Sequence, residues 1–374
     1  MFGQIPFDII LLFMLYAAGA ATALIACIYL LMRRGNAFAP DVTSPVRLRR
    51  WTAIFFASLV LGHLWYLPSV MFTSSDDIMM SLLVGALLDC LTAFPLAIVV
   101  LLCMLQDRRR PLWLAWVLVV PLVAGIVACM VTRSEALMPM LRLYLLVMGI
   151  GLIIYMVHAV RQYRRWLRDN YADLENKEVW QSFVVLAAIL LVFGIYASGD
   201  EGMTYEYVIQ VCGIVLVCHL LWRVETLSDL SISQTLPLPV EEETTAAKEE
   251  MEDDTLSETT RDDIGPLLQK YCVDTKLYLQ HDLTVTQLAQ AIGSNRTYLG
   301  QYFSSQDTTY NAYINNLRIH HFINLYREAV AAQRPFTAQQ LANHSGYRSY
   351  STFSLAFKQR MGQSVTAWMR DTTA

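Results

Sequence analysis

Hydrophobic and polar positions divide the chain into two regimes. From Phe7 to Arg223, long apolar runs alternate with short polar loops. Beyond Leu230 the runs stop, and apolar residues recur three and four apart between polar neighbours, the spacing of amphipathic helices. A hydrocarbon core about 30 Å thick is crossed by about 20 helical residues. The first regime holds seven runs of about that length, at 7–32, 51–72, 78–105, 112–131, 136–160, 180–197 and 207–221. Each is expected to be helical, because lipid offers unpaired backbone groups no partner. The first run is too long for a cleavable signal peptide, lacks a basic flank and is followed by six more.

Charge orients these runs. The loops after the first, third and fifth carry thirteen basic residues: Arg33, Arg34, Arg47, Arg49, Arg50, Arg108, Arg109, Arg110, Arg161, Arg164, Arg165, Arg168 and Lys177. The opposite side holds Arg133 beside acids such as Asp76, Asp77, Glu135, Asp200 and Glu201. The positive-inside rule then places the N-terminus outside and the C-terminus in the cytoplasm of a bacterial inner membrane, as an odd number of spans requires. Composition agrees: 55% of residues are hydrophobic and only 16% charged, against about a quarter charged in soluble domains.

Polar residues inside the runs are His63, Asp89, Arg142, His158 and His219. Asp89 and Arg142 form a candidate pair, either across a ligand pocket or as a structural pair, with outward snorkelling of Arg142 as a further option. Pro68, Pro95, Pro121 and Pro139 are candidate kinks. Six of the seven cysteines lie in apolar runs and only Cys272 outside them; no CxxC or His/Cys cluster suggests a metal, a disulfide framework or a cofactor.

Residues 228–263 hold twelve acids against Lys248 and Arg261, with Pro237, Pro239 and many Ser and Thr. This composition predicts a flexible tether. Its acids either compete with DNA for the domain that follows or act as a solvated spacer.

The most specific feature is a repeat. Thr284-Val-Thr-Gln-Leu-Ala-Gln-Ala-Ile-Gly293 matches Thr337-Ala-Gln-Gln-Leu-Ala-Asn-His-Ser-Gly346, 53 residues on. Thr-x-x-Gln is a capping box that starts a helix. Leu288 with Ala289, and Leu341 with Ala342, point inward, and each glycine supplies a left-handed turn. A second helix follows in each copy, capped by Ser294 over Leu299 and Phe303 in one and by Ser349 over Phe353 and Phe357 in the other. Helix, glycine turn, helix is the helix-turn-helix unit. Between the copies, 309–332 reads as one helix of about 36 Å, with Tyr313, Leu317 and Phe322 or Leu325 facing inward. That length is close to one turn of DNA.

This arrangement resembles the AraC/XylS family of transcription factors, whose DNA-binding domain joins two such units by a long helix. The resemblance covers about Ile264–Thr373 and rests on Thr297–Phe303, Asn315–Ile319 and, above all, Gly346–Lys358 followed by Met361-Gly362. Asp307 stands where the family commonly has glycine, Phe322 where it has alanine and Val365 where it has proline. The resemblance implies base contacts from Asn295, Arg296, Thr297 and Gln301 in the first unit and from Ser349, Tyr350, Ser351 and Thr352 in the second. Arg348, Lys358 and Arg360 are the phosphate candidates. Ten Lys and Arg against five Asp and Glu after residue 264 suit that partner.

The expected protein is all-α: a seven-transmembrane-helix bundle (1–227), an acidic linker (228–263) and a double helix-turn-helix domain (264–374). The expected function is a membrane-anchored transcription regulator, not an enzyme. Its partners would be double-stranded promoter DNA, membrane lipid, a second copy in a homodimer and an unknown signal molecule or membrane partner. A signal would cross through dimer geometry or through proteolysis of the linker. The alternatives are a transporter or enzyme with an accessory regulatory domain, and a helix-turn-helix turned to protein binding.

Overall fold

The computed structural model describes residues 7–32, 36–39, 42–134, 136–197, 203–230 and 264–373. Among these, regular secondary structure is helical, and the only strand-like pairing is an isolated antiparallel bridge from Tyr171 to Thr284. Most of the linker, 231–263, lies outside the described residues. The chain forms two units: Met1–Tyr163 with Glu178–Asp229, and Arg164–Lys177 with Leu230–Ala374.

The first unit contains α1 (Phe7–Met32), α2 (Val46–Trp65), α3 (Pro68–Met71), α4 (Ser75–Leu91), α5 (Ala93–Met104), α6 (Leu114–Val117), α7 (Val120–Thr132), most of α8 (Met138–Asn170), α9 (Trp180–Ala197) and α10 (Met203–Thr226). Among the described residues, five stretches are long and apolar enough to cross a membrane: Phe7–Met32, Ser75–Met104, Leu114–Thr132, Met138–Asn170 and Glu206–Thr226. They correspond to the first, third, fourth, fifth and seventh expected runs. The second run is not one helix. It breaks after Trp65, and Pro68 opens the short α3. The sixth run is helical over its expected length as α9. Many large apolar side chains of this unit are exposed, among them Ile25, Ile28, Leu143, Ile150 and Ile154, as lipid-facing positions would be.

The prolines lie at breaks and helix starts. Pro95 has no N–H for the Leu91 carbonyl, and the chain interrupts its helix at Thr92. The indole of Trp116 donates to that carbonyl at 3.3 Å. Pro121 falls in the first turn of α7, and Pro139 is the second residue of α8. All seven cysteines are free thiols. A buried carboxylate that the sequence did not single out, Glu225 at the end of α10, accepts the Tyr29 hydroxyl at 2.9 Å and the Ala37 amide at 3.2 Å, and pairs with Arg49 at 3.5 Å.

The second unit is built from α11 (Ile264–Leu268), α12 (Val285–Ala291), α13 (Arg296–Ser305), α14 (Tyr310–Ala331), α15 (Ala338–His344), α16 (Tyr350–Met361) and α17 (Val365–Thr373). A π-turn and a 3₁₀ turn connect α11 to α12. Both expected capping boxes form, at Thr284 with Gln287 and at Thr337 with Gln340. The expected left-handed turns fall on Gly293 (φ 71°) and Gly346 (φ 87°).

Two cores fill this unit. The first gathers Leu268, Cys272, Leu288, Leu299, Phe303, Tyr310 and Ile314 around α12 and α13. The second gathers Phe322, Tyr326, Leu341, Tyr347, Phe353, Phe357 and Trp368 around α15 and α16. The helix between them is α14, of 22 residues and so about 33 Å. Its buried face differs from the expected one. Phe322 is fully buried, but Tyr313 and Leu317 pack only at the margin, and the face runs through Tyr310, Ile314, Arg318, Ile319, Ile323 and Tyr326. A helix that serves two cores in succession turns a different stripe to each, so no single periodic stripe describes it. The departures from the family pattern fit their sites. Asp307 is left-handed (φ 53°), a conformation Asp tolerates better than most residues, and Phe322 and Val365 fill the core.

The two glycine turns are not equivalent. A Cβ at Gly293 would meet open space, whereas at Gly346 it would lie 2.8 Å from the Leu279 carbonyl oxygen and 3.0 Å from Arg318 Nε. Gly293→Ala is expected to cost about 1–2 kcal/mol from backbone strain alone. Gly346→Ala carries that strain and about 1–3 kcal/mol more for the overlap. Urea unfolding of the full chain in detergent, read by protease cleavage of the second unit, checks the order. Equal losses would refute the difference.

Candidate nucleic-acid interface

Each helix-turn-helix presents a capped second helix. In α13 the cap is Asn295, whose side chain accepts the Tyr298 amide at 2.9 Å. The expected cap, Ser294, instead closes the turn by donating its amide to the Ala289 carbonyl at 2.8 Å. Asn295 has the extended backbone a cap requires, so its amide oxygen is engaged within the chain. In α16 the cap is Ser349 as expected, with its hydroxyl accepting the Thr352 amide at 3.3 Å.

The buried faces of both helices are set by their cores, Leu299 and Phe303 in α13 and Phe353 and Phe357 in α16. Their opposite faces hold most of the expected DNA contacts. Arg296, Thr297 and Gln301 are exposed on α13. On or beside α16, Arg348, Ser351, Lys358 and Arg360 are exposed, and Ser349, Tyr350 and Thr352 are half-buried. Leu355 also stands outward, 61% exposed, apolar where the rest of that face is polar. Lys358 and Arg360 lie in the last turn of α16, which suits a cation.

Several of these groups have partners inside the unit. Arg348 pairs with Asp282 at 2.7 Å. The Glu175 carboxylate accepts a 2.8 Å hydrogen bond from the Thr352 hydroxyl and a short one from the Ser349 hydroxyl. Asp169 lies within electrostatic reach of Arg296. Glu175 and Asp169 belong to Arg164–Lys177, which the sequence placed in the membrane half and which packs instead with the second unit. Ala172 is buried in the first core, its amide bonds to the Leu283 carbonyl, and Asn311 donates to the Tyr171 and Ala172 carbonyls at 3.1 and 2.7 Å. Burial pushes the Asp173 carboxyl above its ordinary range, against the pull of Lys177.

Sequence reasoning also passed over Arg318. It is fully buried, donates from Nε to the Tyr278 carbonyl at 2.7 Å and from Nη2 to the Gln280 and His281 carbonyls at 2.6 and 3.3 Å, and lies over the Tyr347 ring. Burial pushes its guanidinium below its ordinary range. Its position in the repeat of apolar residues on α14 was the available signal.

In the first unit, Asp89 accepts the Tyr66 hydroxyl at 2.8 Å, and His63 meets Gln210 at 3.1 Å. Arg142 is on the exposed side of α8.

A duplicated helix-turn-helix on a shared long helix, with both second helices turned outward, defines a DNA-binding class of domain. Residues 288–371 match the family model described as a helix-turn-helix domain, which is AraC-type. The C-terminal part of this chain is therefore an AraC-type helix-turn-helix domain, as its sequence signature implied, and the match points to a DNA-binding regulator. No curated protein and no solved structure matches the chain.

Proposed function

We propose that the protein is a membrane-anchored transcription regulator rather than an enzyme. A bundle of seven spans holds it in the bacterial inner membrane with the C-terminal unit in the cytoplasm. That unit binds promoter DNA sequence-specifically, as a homodimer, and the bundle perceives a signal. The carrying observation is the pair of capped, outward-facing helices within the stretch that matches an AraC-type model. The thirteen basic residues on one side of the spans support the orientation. Asp89, Arg142 and their surroundings are the bundle's candidate signal site.

The test uses the full chain in lipid nanodiscs against a library of random-sequence duplexes. The expected result is enrichment of two sub-sites about one helical turn apart, with affinity falling steeply as salt rises. Lys358→Ala should weaken all enriched sites about equally, because a phosphate contact carries no base information. No enrichment at moderate salt would refute the regulator, and would favour a domain turned to protein binding.

A further inference from the structure

Arg164–Lys177 touches expected DNA-contacting residues of the second helix-turn-helix and lies within electrostatic reach of one in the first. Glu175 takes the Ser349 and Thr352 hydroxyls at the N-terminus of α16, where a phosphate or a base edge is expected. Asp169 acts on Arg296 at the N-terminus of α13. Lys177 and Arg348 share the carboxylate of Asp282, at 3.6 and 2.7 Å. The segment is anchored by the Tyr171–Thr284 bridge, the burial of Ala172 and the two hydrogen bonds from Asn311. Its first seven residues, 164–170, are the C-terminal end of α8.

We infer that this segment is an autoinhibitory strap, whose Glu175 carboxylate takes the place of DNA at the N-terminus of the second recognition helix. The inference rests on the proposed DNA-binding function. DNA and Glu175 compete for the same hydroxyls, because a Ser or Thr hydroxyl has a single proton to donate. The strap gives the membrane bundle a direct lever, since a displacement of α8 is carried along the chain into it. This assigns the inhibitory acids to the strap, not to the linker.

The full chain in nanodiscs, titrated with a 30-base-pair duplex, tests it against three variants. Glu175→Ala removes the contact with α16. Asn311→Ala loosens the anchor without touching an expected DNA contact. Glu328→Ala removes one negative charge from an exposed position on α14. Losing charge-assisted hydrogen bonds in Glu175→Ala, or the pair of neutral ones in Asn311→Ala, corresponds to a gain in DNA affinity on the order of tenfold for these two variants. Glu328→Ala is expected to change little. Hydrogen exchange at 171–177 should speed up when DNA binds the wild type. Unchanged affinity in both strap variants, with exchange unaffected by DNA, overturns the strap and leaves the regulator standing. An equal gain in Glu328→Ala reduces the effect to net charge and also overturns it. If no form binds duplex, the underlying function fails and the strap with it.

Discussion

Arg318→Leu is expected to destabilise the second unit by about 3–5 kcal/mol, enough to unfold a marginal domain. The guanidinium holds three carbonyls of the turn 278–281 against the middle of α14 and lies over the Tyr347 ring of the second helix-turn-helix. An apolar replacement leaves the buried Tyr278 carbonyl without this donor, and an unmade buried hydrogen bond costs more than a made one gains. Arg318→Lys should recover only part of the loss, because one ammonium cannot reproduce the fan of a guanidinium. Equilibrium urea unfolding of the full chain in detergent, read by protease cleavage of the second unit, measures both. A loss below about 1 kcal/mol for the leucine variant would show that the arginine does not tie the two halves together.

Phe353→Ala is the second large effect, expected at about 3–5 kcal/mol. The Phe353 ring lies 4.4 Å from Phe322, 5.2 Å from Tyr347 and 5.5 Å from Phe357, centroid to centroid, and is fully buried. Neighbours fixed on α14, on α16 and in the turn before it cannot close around the void, so the cavity term adds to the lost transfer energy. Phe353→Leu should cost less, about 1–1.5 kcal/mol by analogy with volume-conserving swaps. The damage is expected to be local. Phe353 belongs to the second core and none of its ring partners to the first, so exchange should quicken in α15, α16 and α17 before α12 and α13. Simultaneous opening of both helix-turn-helix units would instead show that they fold as one.

Much of this was legible in the sequence for identifiable reasons. The Thr-x-x-Gln boxes and the turn glycines are local signals, complete within a few residues, and the structure forms each of them at the expected position. The length of α14 was equally readable from uninterrupted helical spacing bounded by a Thr cap. Less legible were choices made between adjacent candidates. Ser294 and Asn295 can both cap a helix, and only the path of the turn decides that Asn295 does. The second apolar run was expected to be helical throughout, but its helix ends at Trp65 and Pro68 starts a new short one.

The sequence by itself determined the two regimes of the chain, the helical class, the duplicated unit and the outward position of most candidate DNA contacts, because each follows from spacing or composition within a short window. The tertiary structure alone decided which charges are occupied. Arg318, within the family-matching stretch Asn315–Ile319, has no role legible in the sequence; the fold buries it on α14, where backbone carbonyls satisfy it. Asp169 and Glu175 read as part of a basic loop beside the membrane until that loop folds onto the C-terminal unit, more than a hundred residues away along the chain. Such pairings depend on long-range packing, which no local pattern of hydrophobic and polar residues encodes.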